Sequence, residues 1–465
     1  MKKKLLSMCL GLLFCGSAMA QMQILYDGAS LTTTTLTDGT TLVQFPEDVV
    51  FNTTDFQKKI SVTVDGNSVA KDAIVPNPAT TFITENEIET FVYGGKAYSF
   101  RFTAGEYFTV VMFSDPHVTS EDTQTEISTK MEGIVNFGKN GGISYTFSSL
   151  PGYTPTADLV VCLGDMDAND CDDEYFSETM SVFAENGIPF ITLGGNHDLE
   201  PDFYNDNSYG NTSNGQSQNE QTFTTIKNHY TAAQSATNGG ITNLESITDP
   251  NLGSSITQNE HFTFKFKGVR FYCANNYWWQ KPYSGTAINA LGNYYQNTAK
   301  TYSAKGTLDA LNNFVEGHKD EPSVWLSHFP FYSEANSGED NNIRWWLDQN
   351  YPSDSSTPKA LIPEDGEAEF YSEDAFTTDA GKTIAANKKK YLADIIVKTK
   401  NPRHFSGHAH KNDGANVTAT NGTTFRDHTI KPISNEGSEN GMPGNTFVVL
   451  CKAGVGIIQV ERVNF

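Results

Sequence analysis

Five short fragments of this 465-residue chain hold side chains suited to metal chemistry. They are Asp115-Pro116-His117, Gly164-Asp165, Gly195-Asn196-His197-Asp198, Ser327-His328 and Gly407-His408-Ala409-His410. Each carries Asp, Asn or His, and each stands at or just after a short apolar run. A bridging carboxylate, flanking imidazoles and one amide oxygen can hold two divalent ions roughly 3.5–4 Å apart. Imidazole and carboxylate suit zinc, manganese or iron rather than calcium alone. Such a pair would bind phosphoryl oxygens and lower the pKa of a bridging water, while a nearby protonated histidine gives its proton to the leaving oxygen. The five fragments, in this order, point to two-metal phosphoester hydrolysis. The remaining histidines, His229, His261, His318, His404 and His428, have no comparable setting and read as surface or hydrogen-bonded structural residues.

To bring the fragments together, the chain must set several strand ends side by side. Residues 108–113, 158–163 and 189–193 read as buried strands. Between them, 122–137 carries Ile127, Met131, Ile134 and Val135 at helical spacing, and 174–185 predicts a second helix stopped by Asn186-Gly187. Asp115, Asp165 and Asn196 each follow one of these strands, and the crevice at strand carboxyl ends is where parallel α/β sheets bind ligands. Further on, 261–267 and 269–274 predict a hairpin across Gly268. Helices are expected over 306–318 and 388–398, and strands over 323–326 and 403–405 that lead into the last two fragments. Strands over 423–430, 446–451 and 456–463 are expected to complete the second sheet of the core.

Residues 21–106 have another texture. Short β-rich runs at 23–26, 41–45 and 60–64 alternate with Asp38-Gly39, Asp65-Gly66 and Gly94-Gly95, and no helical period of useful length occurs. Asp65-Gly66 after an alternating run is a hairpin signal. A small β-sandwich-like module without a catalytic constellation is expected, serving as a spacer or shield. Two stretches, 200–260 and 334–379, are long insertions of the kind that form functional loops or stay irregular. Tyr277, Trp278, Trp279, Trp345 and Trp346 fall in or near insertions and could stack on a base, sugar or lipid group, or pin the loops.

A formal charge of -23 argues against a nucleic acid duplex or an anionic membrane surface as partner. A small-molecule phosphoester is the expected substrate. Met1-Lys2-Lys3-Lys4, the apolar run 5–14 and Ala18-Met19-Ala20 read as a secretory signal cleaved before Gln21. It is too short for a transmembrane segment, and no other stretch would span a bilayer. Cleavage would take the charge from -23 to about -26 and place the protein in the periplasm or outside the cell. Lipid attachment at Cys15 is the alternative. Cys162, Cys171, Cys273 and Cys451 would remain, enough for two disulfides or for buried thiols, at spacings foreign to a zinc site.

As a set, the fragments resemble the calcineurin-like metallophosphoesterases, whose pattern is D-x-H, G-D, G-N-H-[DE], a strand-end H and G-H-x-H. The resemblance covers 107–465. It implies a four-layer α/β/β/α metallophosphoesterase sandwich, preceded here by the small N-terminal β-sandwich-like domain at 21–106 and a signal peptide at 1–20. It implies that Asp115, His117 and His410 hold one metal, that Asn196, His328 and His408 hold the other, and that Asp165 bridges both. Asn196 and His197 would contact the phosphate, with His197 as general acid oriented by Asp198. An aspartate at that position also suits a helix N-cap. The purple acid phosphatases of this superfamily carry G-D-x-x-Y, with the tyrosine on ferric iron. Ala168 stands there in this chain, so the two divalent metal ions are expected to be redox-silent zinc, manganese or iron. Asp167, Asp170, Asp172 and Asp173 read as a solvated acidic loop, and Lys281, Arg344 and Arg403 as the positive charges nearest the site. The expected activity is an exported phosphatase that attacks a phosphomonoester with metal-bound hydroxide. The alternatives are a phosphodiesterase on a nucleotide or lipid-type diester, and a non-catalytic surface-binding protein.

Overall fold

A computed structural model describes residues 21–74, 83–118, 120–139, 141–166, 173–195, 240–247, 261–274, 304–331, 359–360, 391–408, 410, 412, 414–434 and 445–465. The chain divides into two compact units between Ala104 and Gly105.

Among the described residues, the first unit has eight strands: β1 (Met22–Tyr26), β2 (Ala29–Ser30), β3 (Thr32–Thr35), β4 (Thr41–Phe45), β5 (Ile60–Val64), β6 (Asn67–Val69), β7 (Ile88–Tyr93) and β8 (Lys96–Ala104). They form two four-stranded sheets, ordered β2-β1-β5-β6 and β3-β4-β8-β7. Ile24 and Val62 of one sheet share a core with Phe45, Phe100 and Phe102 of the other. The Asp65-Gly66 turn is as expected: both residues have positive φ, 49° and 76°, and Val64 pairs with Asn67. One helix, α1 (Thr54–Lys59), was not foreseen. Six residues are too few to show a period. A Thr53 cap, accepting the Phe56 N–H at 3.1 Å, and the buried Phe56 ring hold it instead.

The second unit alternates strands and helices: β9 (Tyr107–Phe113), α2 (Glu121–Val135), β10 (Leu159–Cys162), α3 (Asp173–Glu185) and β11 (Phe190–Thr192). Then come β12 (Ile241–Ile247), β13 (His261–Phe266), β14 (Val269–Ala274), α4 (Ala304–Glu316), β15 (Ser323–Leu326) and β16 (Lys359–Ala360). The chain ends with α5 (391–396), β17 (Arg403–Ser406), β18 (Asn416–Thr418), β19 (Thr424–Thr429), β20 (Asn445–Lys452) and β21 (Gly456–Asn464). One sheet runs β11-β10-β9-β20-β21, the other β12-β13-β14-β15-β17-β19-β18-β16. In the first, β9, β10 and β11 are parallel; in the second, β14, β15, β17 and β19 are. Every residue of β9 is buried, as its near-continuous apolar run requires.

The sheets face each other through Phe108 against Phe266 and Phe405 against Phe447. Phe176 and Phe183 of α3 pack on Phe190 of β11. Phe314 of α4 packs on Tyr272 of β14. A capping box at Ser120 and Thr123 starts α2, which lies beside α3. This is a mixed α/β fold with extensive sheets.

Two expectations need correction. Only 423–430 adds to the second sheet; β20 and β21 join the first, because β9 has β10 on one edge and needs a partner on the other. The insertion 200–260 also contains a strand, β12, which pairs with β13. Its Thr-Asn-Leu-Glu-Ser centre is exposed to half-buried and only Ile241 and Ile247 are fully covered, so it lacks a strand's usual alternation. No helix among the described residues is long and apolar enough to cross a membrane. Cys162, Cys273 and Cys451 are buried; Cys171 lies outside the described residues, as do residues 1–20.

Candidate metal centre

Each described candidate ligand lies in a loop just past a buried strand. Asp115 and His117 follow β9, Asp165 follows β10, His328 follows β15, and His408 and His410 follow β17. Because β9 and β10 are parallel neighbours, their two loops run together. Asp115 N–H donates to the Gly164 carbonyl at 3.0 Å, and His117 N–H to the Asp165 carbonyl at 3.2 Å. The loops of the other sheet are likewise tied, by Gly407 N–H donating to the His328 carbonyl at 3.0 Å. The loops of the two sheets are also joined: His408 N–H donates to Asp115 Oδ2 at 3.2 Å.

This convergence forces an uncommon backbone. Asp115, His117, Asp165, His408 and His410 all have positive φ, between 44° and 63°. The left-handed region costs an L-residue about 1–2 kcal/mol, and such strain concentrates at functional sites where the surroundings fix it. Three motif glycines permit the close approach. A Cβ on Gly164 would stand 2.8 Å from His328 Nδ1; on Gly195, 2.1 Å from Asp165 Oδ1; on Gly407, 1.7 Å from Ser114 Oγ. Residues 433 and 434 brace the β9 end: Ile433 N–H donates to the Ser114 carbonyl and Ser434 Oγ to that of Asp115, both at 2.9 Å. Lys130 of α2 in turn bonds the Ile433 carbonyl.

Two groups of side chains result. Asp115, His117 and His410 form one, Asp165, His328 and His408 the other, and in each group the candidate ligand atoms lie within 4.8 Å of one another. His328 Nε2 is 3.1 Å from Asp165 Oδ2, and His410 Nε2 is 3.5 Å from Asp115 Oδ1. His328 Nδ1 donates to the Leu163 carbonyl at 2.9 Å. A carbonyl can only accept, so the tautomer is fixed and Nε2 is left to face the carboxylate, the arrangement of a metal-ligating histidine.

The charges agree. Burial opposes ionisation of Asp115, but His410 and His328 outweigh it and hold the carboxyl below its usual value. Burial also disfavours a charged His328, yet Asp165, Asp115 and the Leu163 bond push it up to about 9. His410 is raised by Asp115 against the effect of burial. His408 goes well below its usual value, through burial and the charge on His328. Two buried carboxylates thus draw positive charge into the site, the charge that divalent ions would bring. Asp115 Oδ1 is buried and accepts no hydrogen bond, as a ligand oxygen would. The donor set, imidazole with carboxylate, fits a pair of zinc-, manganese- or iron-like ions.

Asn196, His197 and Asp198 lie outside the described residues, as do Asp167, Ala168, Asp170, Asp172, Lys281, Arg344 and all five insertion aromatics. Asp173 opens α3. Arg403 opens β17, at the end of that strand away from the ligand loop. Among the histidines set aside, His261 is buried and pushed down to about 3, His318 bonds the Phe314 carbonyl, and His428 stacks on Phe405. His404 has more: both ring nitrogens are bonded, to Asp427 Oδ1 at 2.7 Å and Ser327 Oγ at 2.8 Å, and all three side chains are buried. The available signal was the alternation of β19, which turns Phe425, Asp427 and Thr429 inward; β17 offers none, since His404, Phe405 and Ser406 are all buried.

Residues 108–412 match the family model of the calcineurin-like phosphoesterases. The chain belongs to that family and is a metal-dependent phosphoesterase. Among solved structures it is similar to a purple acid phosphatase from yellow lupin (Lupinus luteus) seeds, at 12% identity and a TM-score of 0.38, over 96% of this chain and 69% of that one. It is also similar to the phosphopantetheinyl hydrolase of Mycobacterium tuberculosis, at 11% identity and 0.32, over 70% and 91%. GAP50, the anchor in the inner membrane complex of Plasmodium, matches at 10% identity and 0.31, over 77% and 89%. No curated protein matches the chain significantly.

Proposed function

We propose that this phosphoesterase is an exported phosphatase that hydrolyses a small phosphomonoester at a centre of two divalent ions. The observation that carries it is the meeting of the two Asp-and-His groups at the strand ends. In this reading Asp115, His117 and His410 would hold one ion, Asn196, His328 and His408 would hold the second, and Asp165 would be shared by both. The ions, when bound, supply Lewis acidity and an activated water. The chain's own part is to fix the ligands and to hold His328 by its Leu163 bond. Asn196 and His197 orient the phosphate, and His197, aligned by Asp198, protonates the leaving oxygen. The charge count favours a monoester. Asp115 and Asp165 are the carboxylates among the described ligands. Two divalent ions less two carboxylates and the attacking hydroxide leave a net positive charge, which would attract a monoester dianion more strongly than a diester monoanion.

The same reading includes a four-layer α/β/β/α core, supported by the facing sheets and by helices on each. It also includes a separate β-sandwich-like domain at 21–106, serving as a spacer, and export directed by residues 1–20. The test loads purified protein with zinc or manganese and compares p-nitrophenyl phosphate with bis(p-nitrophenyl) phosphate. Faster cleavage of the monoester is expected. Preference for the diester makes the protein a phosphodiesterase, and no turnover of either makes it a surface-binding protein on this scaffold. Export predicts a mature N-terminus at Gln21, read by mass spectrometry.

A further inference from the structure

The buried Ser327–His404–Asp427 chain has the composition of a nucleophilic triad but not its setting. All three side chains are buried, and Ser327 Oγ donates to the Phe329 carbonyl at 2.7 Å. A hydroxyl engaged in this way inside the protein has no route to a substrate. Its connections lead elsewhere. Ser327 immediately precedes His328, and its own N–H donates to the Phe405 carbonyl of β17 at 3.0 Å. Asp427 uses one carboxylate oxygen for His404 and the other to accept the Phe331 N–H at 2.9 Å. The segment 327–331 is therefore gripped at Ser327, Phe329 and Phe331 by one polar chain anchored in β17 and β19. Between those grips, the Phe329 ring packs edge-on against both His328, at 5.0 Å, and His408, at 4.5 Å.

We propose that Ser327, His404 and Asp427 are positioning residues for one of the two metals, setting the placement of His328 directly and of His408 through Phe329. The proposal rests on the reading of Asp165, His328 and His408 as a metal-holding group. It makes the two groups unequal. The Asp115 loop is held from elsewhere, by residues 433 and 434 bonding the Ser114 and Asp115 carbonyls. Groups that orient a ligand from behind typically affect metal affinity 10–100-fold.

The experiment titrates a chelator against the full chain loaded with cobalt(II), following metal loss by its visible spectrum. Wild type should lose two ions in two steps, and His328→Ala identifies which step belongs to its group. Ser327→Ala, the smallest change, and Asp427→Asn should weaken that step by about 10–100-fold and leave the other unchanged. Thr263→Val is the control for general destabilisation. It removes another buried hydroxyl, bonded to the Phe271 carbonyl at 2.8 Å, and should move neither step. Wild-type affinity at both steps in a folded Ser327→Ala protein overturns the brace. So does equal weakening of both steps, or weakening matched by Thr263→Val. A wild-type chain that binds fewer than two ions overturns the underlying metal-centre reading, a result distinct from any of these.

Discussion

Asp65 in the first unit and Asp165 in the second hold nearly the same backbone conformation, at φ 49° and 54°, for opposite reasons. Asp65 belongs to a hairpin turn. Its carboxylate accepts the Gln21 N–H at 2.8 Å, its carbonyl accepts from the Asn67 side chain at 3.3 Å, and Gly66 follows. Aspartate tolerates the left-handed region in such turns because local hydrogen bonds compensate. Asp165 has distant partners: His117 N–H on its carbonyl and His328 beside its carboxylate. His117, His408 and His410 share its conformation, at φ 44°, 63° and 50°. Strain at Asn or Asp before Gly reports a turn that the local sequence prefers. Strain at histidines reports a geometry that the rest of the fold imposes, and here the imposed geometry is that of the candidate metal centre.

The sharpest way to break this contrast is Asp165→Asn. It keeps the shape and removes the charge. Bound metal should fall from two ions per chain to one or none. Turnover should drop by about 10³-fold or more, since a two-ion centre supplies several kcal/mol and each 1.4 kcal/mol is tenfold. Full occupancy by elemental analysis would refute the bridging role. His197→Ala comes next. It should retain both metals and slow hydrolysis of alkyl phosphates by about 10²–10⁴-fold, with less effect on p-nitrophenyl phosphate, whose leaving group needs no proton. Wild-type turnover of an alkyl ester removes His197 from the acid role.

Much of this was legible in the sequence because it is local. The uninterrupted apolar run of β9, the helical spacing in α2 and the Lys267-Gly268 turn between β13 and β14 each announce themselves within a few residues. The described candidate fragments stood out because each follows such a strand. Pairings that depend on the whole sheet were not. Which sheet takes β20 and β21 is decided by the open edge of β9, and no residue in 445–464 records that. The Ser327–His404–Asp427 chain escaped notice for the same reason. Its members come from β17, β19 and the loop just past β15, and each alone is an ordinary buried polar residue.

Gly407→Ala tests whether the fold imposes the ligand loop. Its Cβ would lie 1.7 Å from Ser114 Oγ and 2.5 Å from Ser114 Cβ, so something must move. Overpacking of this kind costs about 1–3 kcal/mol, visible as a lower melting temperature, and it should loosen the metals as well. Adding Ser114→Gly removes two of the three clashing atoms, leaving Asp115 Oδ2 at 2.7 Å, and should recover part of the loss. Gly66→Ala is the counterpart in the first unit. It meets nothing within 4 Å and pays only for its φ of 76°, about 1 kcal/mol, with metal content intact. Equal losses and equal metal content in the two variants would mean that close packing around Gly407 is not what shapes the site.

The smallest effect is expected at Asp65→Gly. Glycine relieves a left-handed cost of about 1 kcal/mol but gives up the Gln21 hydrogen bond, worth about as much, and adds freedom to the unfolded chain. The unfolding free energy from a urea titration should shift by no more than about 0.5 kcal/mol, the usual range for a surface change. Metal stoichiometry and turnover should match wild type, because every partner of this turn lies within its own sheet. The same φ at Asp165 cannot be relieved in this way. Glycine there would free the backbone and remove the carboxylate that faces His328, so the metal would be lost although the strain was gone.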